Sequence, residues 1–138
     1  MSGGPVHPLT ILAVRDLPIS VAFYRAAFGW PARVEVLVFV EFELPDGRGL
    51  GLYQREAFAR NVNELTELPP EGRIGGAEIY LRADDLDEAV RRIEAAGARR
   101  LSARAPRPWG DEAAYYADPD GYVLVLSRPV PSGRPGTG

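Results

Sequence analysis

Apolar positions in this chain fall into two periods. Leu9 to Val14 is almost continuously apolar, as a strand covered on both faces would be. Val21, Phe23-Tyr24, Ala27 and Phe28 then recur at helical spacing, after Asp16 as N-cap and Pro18 in the first turn, until Gly29 and Pro31 stop the run. From Arg33 to Leu44 the period becomes two. Val34, Val36, Val38, Val40, Phe42 and Leu44 are expected on one face, with Glu35, Leu37, Phe39, Glu41 and Glu43 on the other. Two strands are expected here, although no turn residue separates them. A strand over Arg48 to Gln54 follows.

The second half repeats the plan. Ala77 to Ala83 reads as a strand, and Asp84 or Asp85 caps a helix running to Ala96, with Gly97 as its stop. Arg99 to Ala103 reads as a short strand and Arg104 to Asp111 as a proline-rich loop carrying Trp109. Glu112–Ala117 and Tyr122–Ser127 form a closing hairpin. The repetition is literal in places. Pro119-Asp120-Gly121-Tyr122-Val123-Leu124-Val125-Leu126 matches Pro45-Asp46-Gly47-Arg48-Gly49-Leu50-Gly51-Leu52 as Pro-Asp-Gly-x-x-Leu-x-Leu, 74 residues apart. Leu12 to Leu17 matches Leu81 to Leu86 at an offset of 69. Each copy of the longer pattern is a turn feeding a strand. A duplicated single domain follows: module one over about 8–54, a linker over 55–75 with a helical turn around Glu56–Asn61, and module two over about 76–128. Loose tails are expected at 1–7 and 129–138.

Bulk properties narrow the function. The chain has 138 residues, a net charge of −3 and no cysteine. Thiolate catalysis and cysteine-ligated metals are thereby excluded, and there is no basic footprint for nucleic acid. No apolar run approaches the roughly 20 residues of a membrane span, and the N-terminus lacks the layout of a signal peptide. A cytoplasmic protein with neither nucleic-acid nor membrane partners is expected.

Three stretches carry a family resemblance: Ile11–Trp30, Glu78–Ala98 and Pro108–Leu126. They resemble the vicinal oxygen chelate superfamily, also called the glyoxalase / bleomycin resistance protein / extradiol dioxygenase superfamily. The resemblance covers about residues 8–128. It implies an α+β fold of two βαβββ modules, with curled mixed sheets around a shared cleft and helices on the outer faces. It also implies a frequent homodimer. In metal-binding members one ligand comes from each first strand and one from each last strand. Carried over, those positions are Leu9, Gly51, Glu78 and Val125. Only Glu78 can coordinate, and the single histidine, His7, reads as a solvated tail residue. No metal, no cofactor and no catalytic residue is expected.

Strand alternation then assigns a lining. If Leu9, Gly51, Glu78 and Val125 face inward, so do Ile11, Ala13, Tyr53, Tyr80, Arg82 and Val123. Leu12, Leu50, Leu52, Ile79, Leu81, Leu124 and Leu126 face the helices. Trp109 and one of Tyr115 or Tyr116 belong at the mouth. The candidate ligand-binding residues are Leu9, Ile11, Tyr53, Glu78, Tyr80, Arg82, Trp109, Tyr115 and Val125. Each has a plainer role open to it. Glu78 and Arg82 are placed to pair with each other or with neighbouring strands, and the tyrosines to fill the sheet interior. The function expected is sequestration of a small organic molecule, aromatic or cationic, without metal. The alternative is a metal-dependent lyase or dioxygenase with an atypical site.

Overall fold

The computed structural model describes residues 3–131, which divide into two units: 3–25 with 29–68, and 26–28 with 69–131. The first carries β1 (Leu9–Val14), most of α1 (Leu17–Phe28), β2 (Ala32–Val36), β3 (Phe39–Glu43), β4 (Gly49–Gln54) and α2 (Arg55–Val62). The second carries β5 (Glu78–Arg82), α3 (Leu86–Ala95), β6 (Arg99–Pro106), β7 (Asp111–Ala117) and β8 (Val123–Pro129). The sheets have matching orders, β1-β4-β3-β2 and β5-β8-β7-β6. In each, the first strand lies parallel to the last and the other pairings are antiparallel. This is the α+β, two-module βαβββ plan expected from the sequence.

The repeat is visible in individual hydrogen bonds. Leu44 N donates to Arg48 O at 2.8 Å and Gly47 N to Leu44 O at 2.8 Å. Seventy-four residues on, Asp118 N donates to Tyr122 O at 2.9 Å and Gly121 N to Asp118 O at 3.1 Å. Both glycines sit in the left-handed region, at φ 89 and 91°. The helix starts match as well. Asp16 Oδ1 accepts from Ile19 N, and Asp85 Oδ1 from Glu88 N, each at 3.1 Å. Of the two aspartates open as caps in the second module, Asp85 is the one used.

Each sheet buries one face against a helix of its own unit. In the first, Tyr24 of α1 stands 6.4 Å from the Phe42 ring of β3, with Leu52 and Val14 fully buried nearby in register. In the second, Leu86 and Ile93 of α3 are fully buried with Leu124 and Leu126 of β8, and the Tyr116 hydroxyl donates to Glu94 of α3 at 2.7 Å. Register keeps the two sets of residues apart as alternation requires. Ile11 pairs with Gly51, Ala13 with Tyr53, Glu78 with Val123, and Tyr80 with Val125. Leu12 pairs with Leu52, Ile79 with Leu124, and Leu81 with Leu126.

The faces expected for Arg33–Leu44 are corrected. Leu37 and Val38 form a two-residue turn, so Val36 pairs with Phe39 and Glu35 with Val40. An even-numbered reversal changes the parity of the alternation. Val34 and Val36 therefore share a face with Phe39 and Glu41, while Glu35 joins the helix side and pairs with Arg25 at 2.9 Å. Two further expectations shift. The helical turn around Glu56–Asn61 is the eight-residue α2, and the strand expected to stop at Ala103 runs to Pro106 through two irregularities. Of the expected tails, residues 1–2 and 132–138 lie outside the described residues, and Pro129 closes β8.

The two equivalent turns are not equally tolerant. A Cβ on Gly47 meets nothing within 4 Å, whereas one on Gly121 falls 2.5 Å from the Arg73 carbonyl oxygen. Gly47→Ala is expected to cost about 1–2 kcal/mol, the left-handed penalty alone. Gly121→Ala is expected to cost more by at least about 1 kcal/mol, since backbone must move. Urea unfolding of both variants checks this, and equal losses would contradict it.

Candidate functional site

The faces turned away from the helices differ sharply between the units. In the first unit the face is filled by its own side chains. The Tyr53 ring is set edge-on between Phe39, at 5.3 Å, and Phe58 of α2, at 5.8 Å. Arg33 Nε donates to Glu41 Oε2 at 2.6 Å, and this ion pair lies across the backbone of Gly49. Leu9 is half-buried beside them and Ile11 more exposed. The Tyr53 ring is thus held by two neighbouring rings, and Glu41 on this face is paired with Arg33.

The second unit brings Glu78, Tyr80, Arg82, Tyr115 and Val125 onto one face, with Trp109 at its edge. Tyr80, Val125 and Tyr115 form one row across β5, β8 and β7. Tyr115 is on this face and Tyr116 on the helix side, which decides between the two. Val125 is 0 % exposed and serves as floor rather than as contact surface.

The polar groups form a chain. Arg82 grips Asp111 with both nitrogens, Nη1 to Oδ1 at 3.2 Å and Nη2 to Oδ2 at 3.3 Å. The Tyr80 hydroxyl donates to Asp111 Oδ2 at 2.6 Å and accepts from Trp109 Nε1 at 2.8 Å. Asp111 is nearly buried, its side chain 11 % exposed, whereas Trp109 is 57 % exposed. The hydrogen bond from Tyr80, then that from Arg82 with its charge, holds the Asp111 carboxyl below the usual carboxylate range, against the opposing effect of burial. The Glu78 side chain makes no hydrogen bond or ion pair with any described residue. Arg82 is therefore spent on Asp111 and not on Glu78.

The sequence places Asp111 among the acids near Trp109 but not as the partner of Arg82, and it does not single out Arg107. The signal for Asp111 was present, because alternation back from Tyr115 through Ala113 puts it on the same face. Arg107 had none, since it lay in a stretch read as loop.

The metal positions of the resembled family are a poor fit here. Leu9 and Val125 are hydrocarbon, and the space a side chain at Gly51 would use holds the Phe39 ring, 2.7 Å from an ideal Cβ. Among the described residues no group of three or more His, Cys, Asp or Glu is placed to hold a metal. His7 instead shares a hydrogen bond with the Thr10 hydroxyl at 2.9 Å.

Comparison with known proteins agrees with the fold. The family model of the Glyoxalase/Bleomycin resistance protein/Dioxygenase superfamily matches residues 6–126. The chain is similar to a glyoxalase/bleomycin resistance protein/dioxygenase from Nocardioides, at 25% identity over 100% of this chain and 92% of that one, TM-score 0.77. It is also similar to protein ATC0852 from Agrobacterium tumefaciens, at 27% identity over 92% and 100%, TM-score 0.73. A glyoxalase-related enzyme from Fulvimarina pelagi shares the fold at 22% identity over 90% and 91%, TM-score 0.76. No curated protein matches.

The relay from Trp109 to Asp111 generates a testable consequence. In a Trp30→Phe background, Tyr80→Phe is expected to release the Trp109 indole, lowering its fluorescence anisotropy and shifting its emission to the red. The stability lost in Tyr80→Phe has a defined pH dependence. Asp111 has a depressed folded pKa, so its contribution is present above its unfolded value of about 3.9 and is lost as pH falls through the folded one. The difference between wild type and variant should therefore hold from pH 5 to 7, on the scale set by those values, and shrink below roughly 4. A difference independent of pH in denaturant titrations would contradict the bond to Asp111.

Proposed function

We propose that this chain, which belongs to the Glyoxalase/Bleomycin resistance protein/Dioxygenase superfamily, is a metal-independent binding protein that sequesters a small planar organic molecule. One observation carries the reading: an exposed tryptophan fixed by hydrogen bonding to Tyr80, on a face where Glu78 is the unspent acid. A rigid aromatic plate binds by stacking and apolar burial, and its fixed rotamer lowers the entropy lost on binding. With Arg82 neutralised by Asp111, Glu78 favours a positively charged ligand over an anion at that end of the face. An antibiotic or another secondary metabolite has this character. No covalent step is required of such a protein. The chemistry of the donor set supports independence from metal, since Leu9, Gly51 and Val125 offer no ligand atoms.

The same proposal includes a cytoplasmic location and a homodimer. No described helix is long and apolar enough to cross a membrane. The β2–β3 hairpin tip leaves Val36 and Leu37 exposed at a sheet edge, which two-fold association would protect.

Elemental analysis of purified protein is expected to find well under one equivalent of Zn, Fe, Mn, Ni or Co. Stoichiometric metal that disappears in Glu78→Gln would overturn the reading in favour of a lyase or dioxygenase. A thermal-shift screen of planar organic cations is expected to find ligands that raise the melting temperature. For a ligand so found, Trp109→Ala should weaken binding by about 1–3 kcal/mol, and Glu78→Gln should weaken it less. Unchanged calorimetric affinity in Trp109→Ala would place the ligand elsewhere. Light scattering at micromolar concentration should give twice the mass of the chain, and a monomer would count against association.

A further inference from the structure

Arg107 follows directly after β6 and reaches back between β6 and β7. Its Nη2 donates to Ser102 Oγ at 3.1 Å, to Ala103 O at 2.8 Å and to Ala113 O at 2.9 Å. Its guanidinium carbon stands 4.9 Å from the centroid of the Tyr115 ring, a cation–π distance. All three hydrogen bonds leave from one nitrogen. Nε is buried with no partner, and Nη1 donates to no described residue.

Among the described residues no carboxylate reaches this cation. Asp111 is held by Arg82 and Tyr80, and Glu112 by Arg104 and Arg128. A half-buried guanidinium ordinarily finds a carboxylate or phosphate for its planar fork. Glu78 presents the converse case, a carboxylate without a cation. Both belong to the face that holds Tyr115, and both charges act on its hydroxyl. Burial raises the Tyr115 pKa most, the Glu78 charge raises it further and the Arg107 charge lowers it. Arg107 lies over the Tyr115 ring, Glu78 is on the same face of the sheet two residues along β5 from Tyr80, and the two do not pair with each other.

We propose that Arg107 receives the carboxylate, and Glu78 the ammonium, of a zwitterionic aromatic ligand lying over Tyr80, Tyr115 and Trp109. The inference rests on the binding face proposed above and adds the second charge to its ligand. Arg107 is well set for this role. Backbone carbonyls and the Ser102 hydroxyl hold one side of the guanidinium without cancelling its charge, so little reorganisation accompanies binding.

Three probes with one ring system and different charges test it: tryptamine, indole-3-propionate and tryptophan, titrated calorimetrically into the full chain at pH 7 and low salt. Tryptophan is expected to bind at least about tenfold more tightly than either singly charged probe. Glu78→Gln, at an exposed and unpaired position, should bring tryptophan down to the level of indole-3-propionate. Arg107→Lys keeps a positive charge but loses the planar group held by Ser102, Ala103 and Ala113 with its Nη1 turned free, and should weaken tryptophan more than tryptamine. Should Arg107→Lys unfold the β6–β7 pairing, the wild-type series and Glu78→Gln still decide. Tryptophan binding no tighter than tryptamine overturns the Arg107 subsite and leaves the cation-binding face intact. Indole-3-propionate binding tightest overturns the role of Glu78. No heat from any of the three overturns the subsite and the aromatic-cation reading together.

Discussion

A nearly buried carboxylate at the first position of a strand is costly unless its charge is met, and Asp111 decides how the second unit meets it. Arg82 supplies both guanidinium nitrogens and Tyr80 a phenolic proton. Those bonds neutralise Arg82, whose side chain stays half exposed. They also turn the Tyr80 oxygen into an acceptor whose remaining lone pair faces the indole N–H of Trp109. The orientation of the most exposed large aromatic ring on this face is thus set by an acid two bonds away. The charges left over are Glu78 and Arg107, and they are left over because Asp111 has already taken its partners.

The duplication makes the contrast between the units informative. Their backbones agree down to the turn hydrogen bonds, yet the faces opposite the helices have diverged. Glycines at 49 and 51 let an ion pair and the Phe39 ring settle directly onto the first sheet. In the second sheet Val123 and Val125 occupy the equivalent places, so the sheet surface is built up and tyrosines stand beside it. One module has become self-filled and the other polar. At Gly51 the Phe39 ring fills the room that a side chain there would need.

How much of this was legible follows from the kind of signal involved. The Pro-Asp-Gly turns, the aspartate caps and the strand faces of β1, β4, β5 and β8 are local, and a period of two fixes them. The Arg33–Leu44 stretch failed because its turn, Leu37-Val38, contains none of the usual turn residues, and two residues of turn invert every later face. The partner of Arg82 depended on pairing across β8 to β7, 29 residues away in sequence, which a strand read alone does not contain. Proline-rich composition around Arg104–Pro108 suggested loop, yet an irregular strand accommodates Pro106 at its end, where no ladder donor is required.

The electrostatics of the face also bear on mechanism. A general base serves best with a proton affinity near working pH. Asp111 is moved the opposite way, held ionised by Tyr80 and Arg82, and its lone pairs are occupied by them. Drawing a proton from a substrate would mean breaking the bonds that position Trp109. Around Asp111 both the charge and the neighbouring ring are therefore held in place. Under the proposed function, stacking and two preset charges would supply affinity to such a face at little ordering cost.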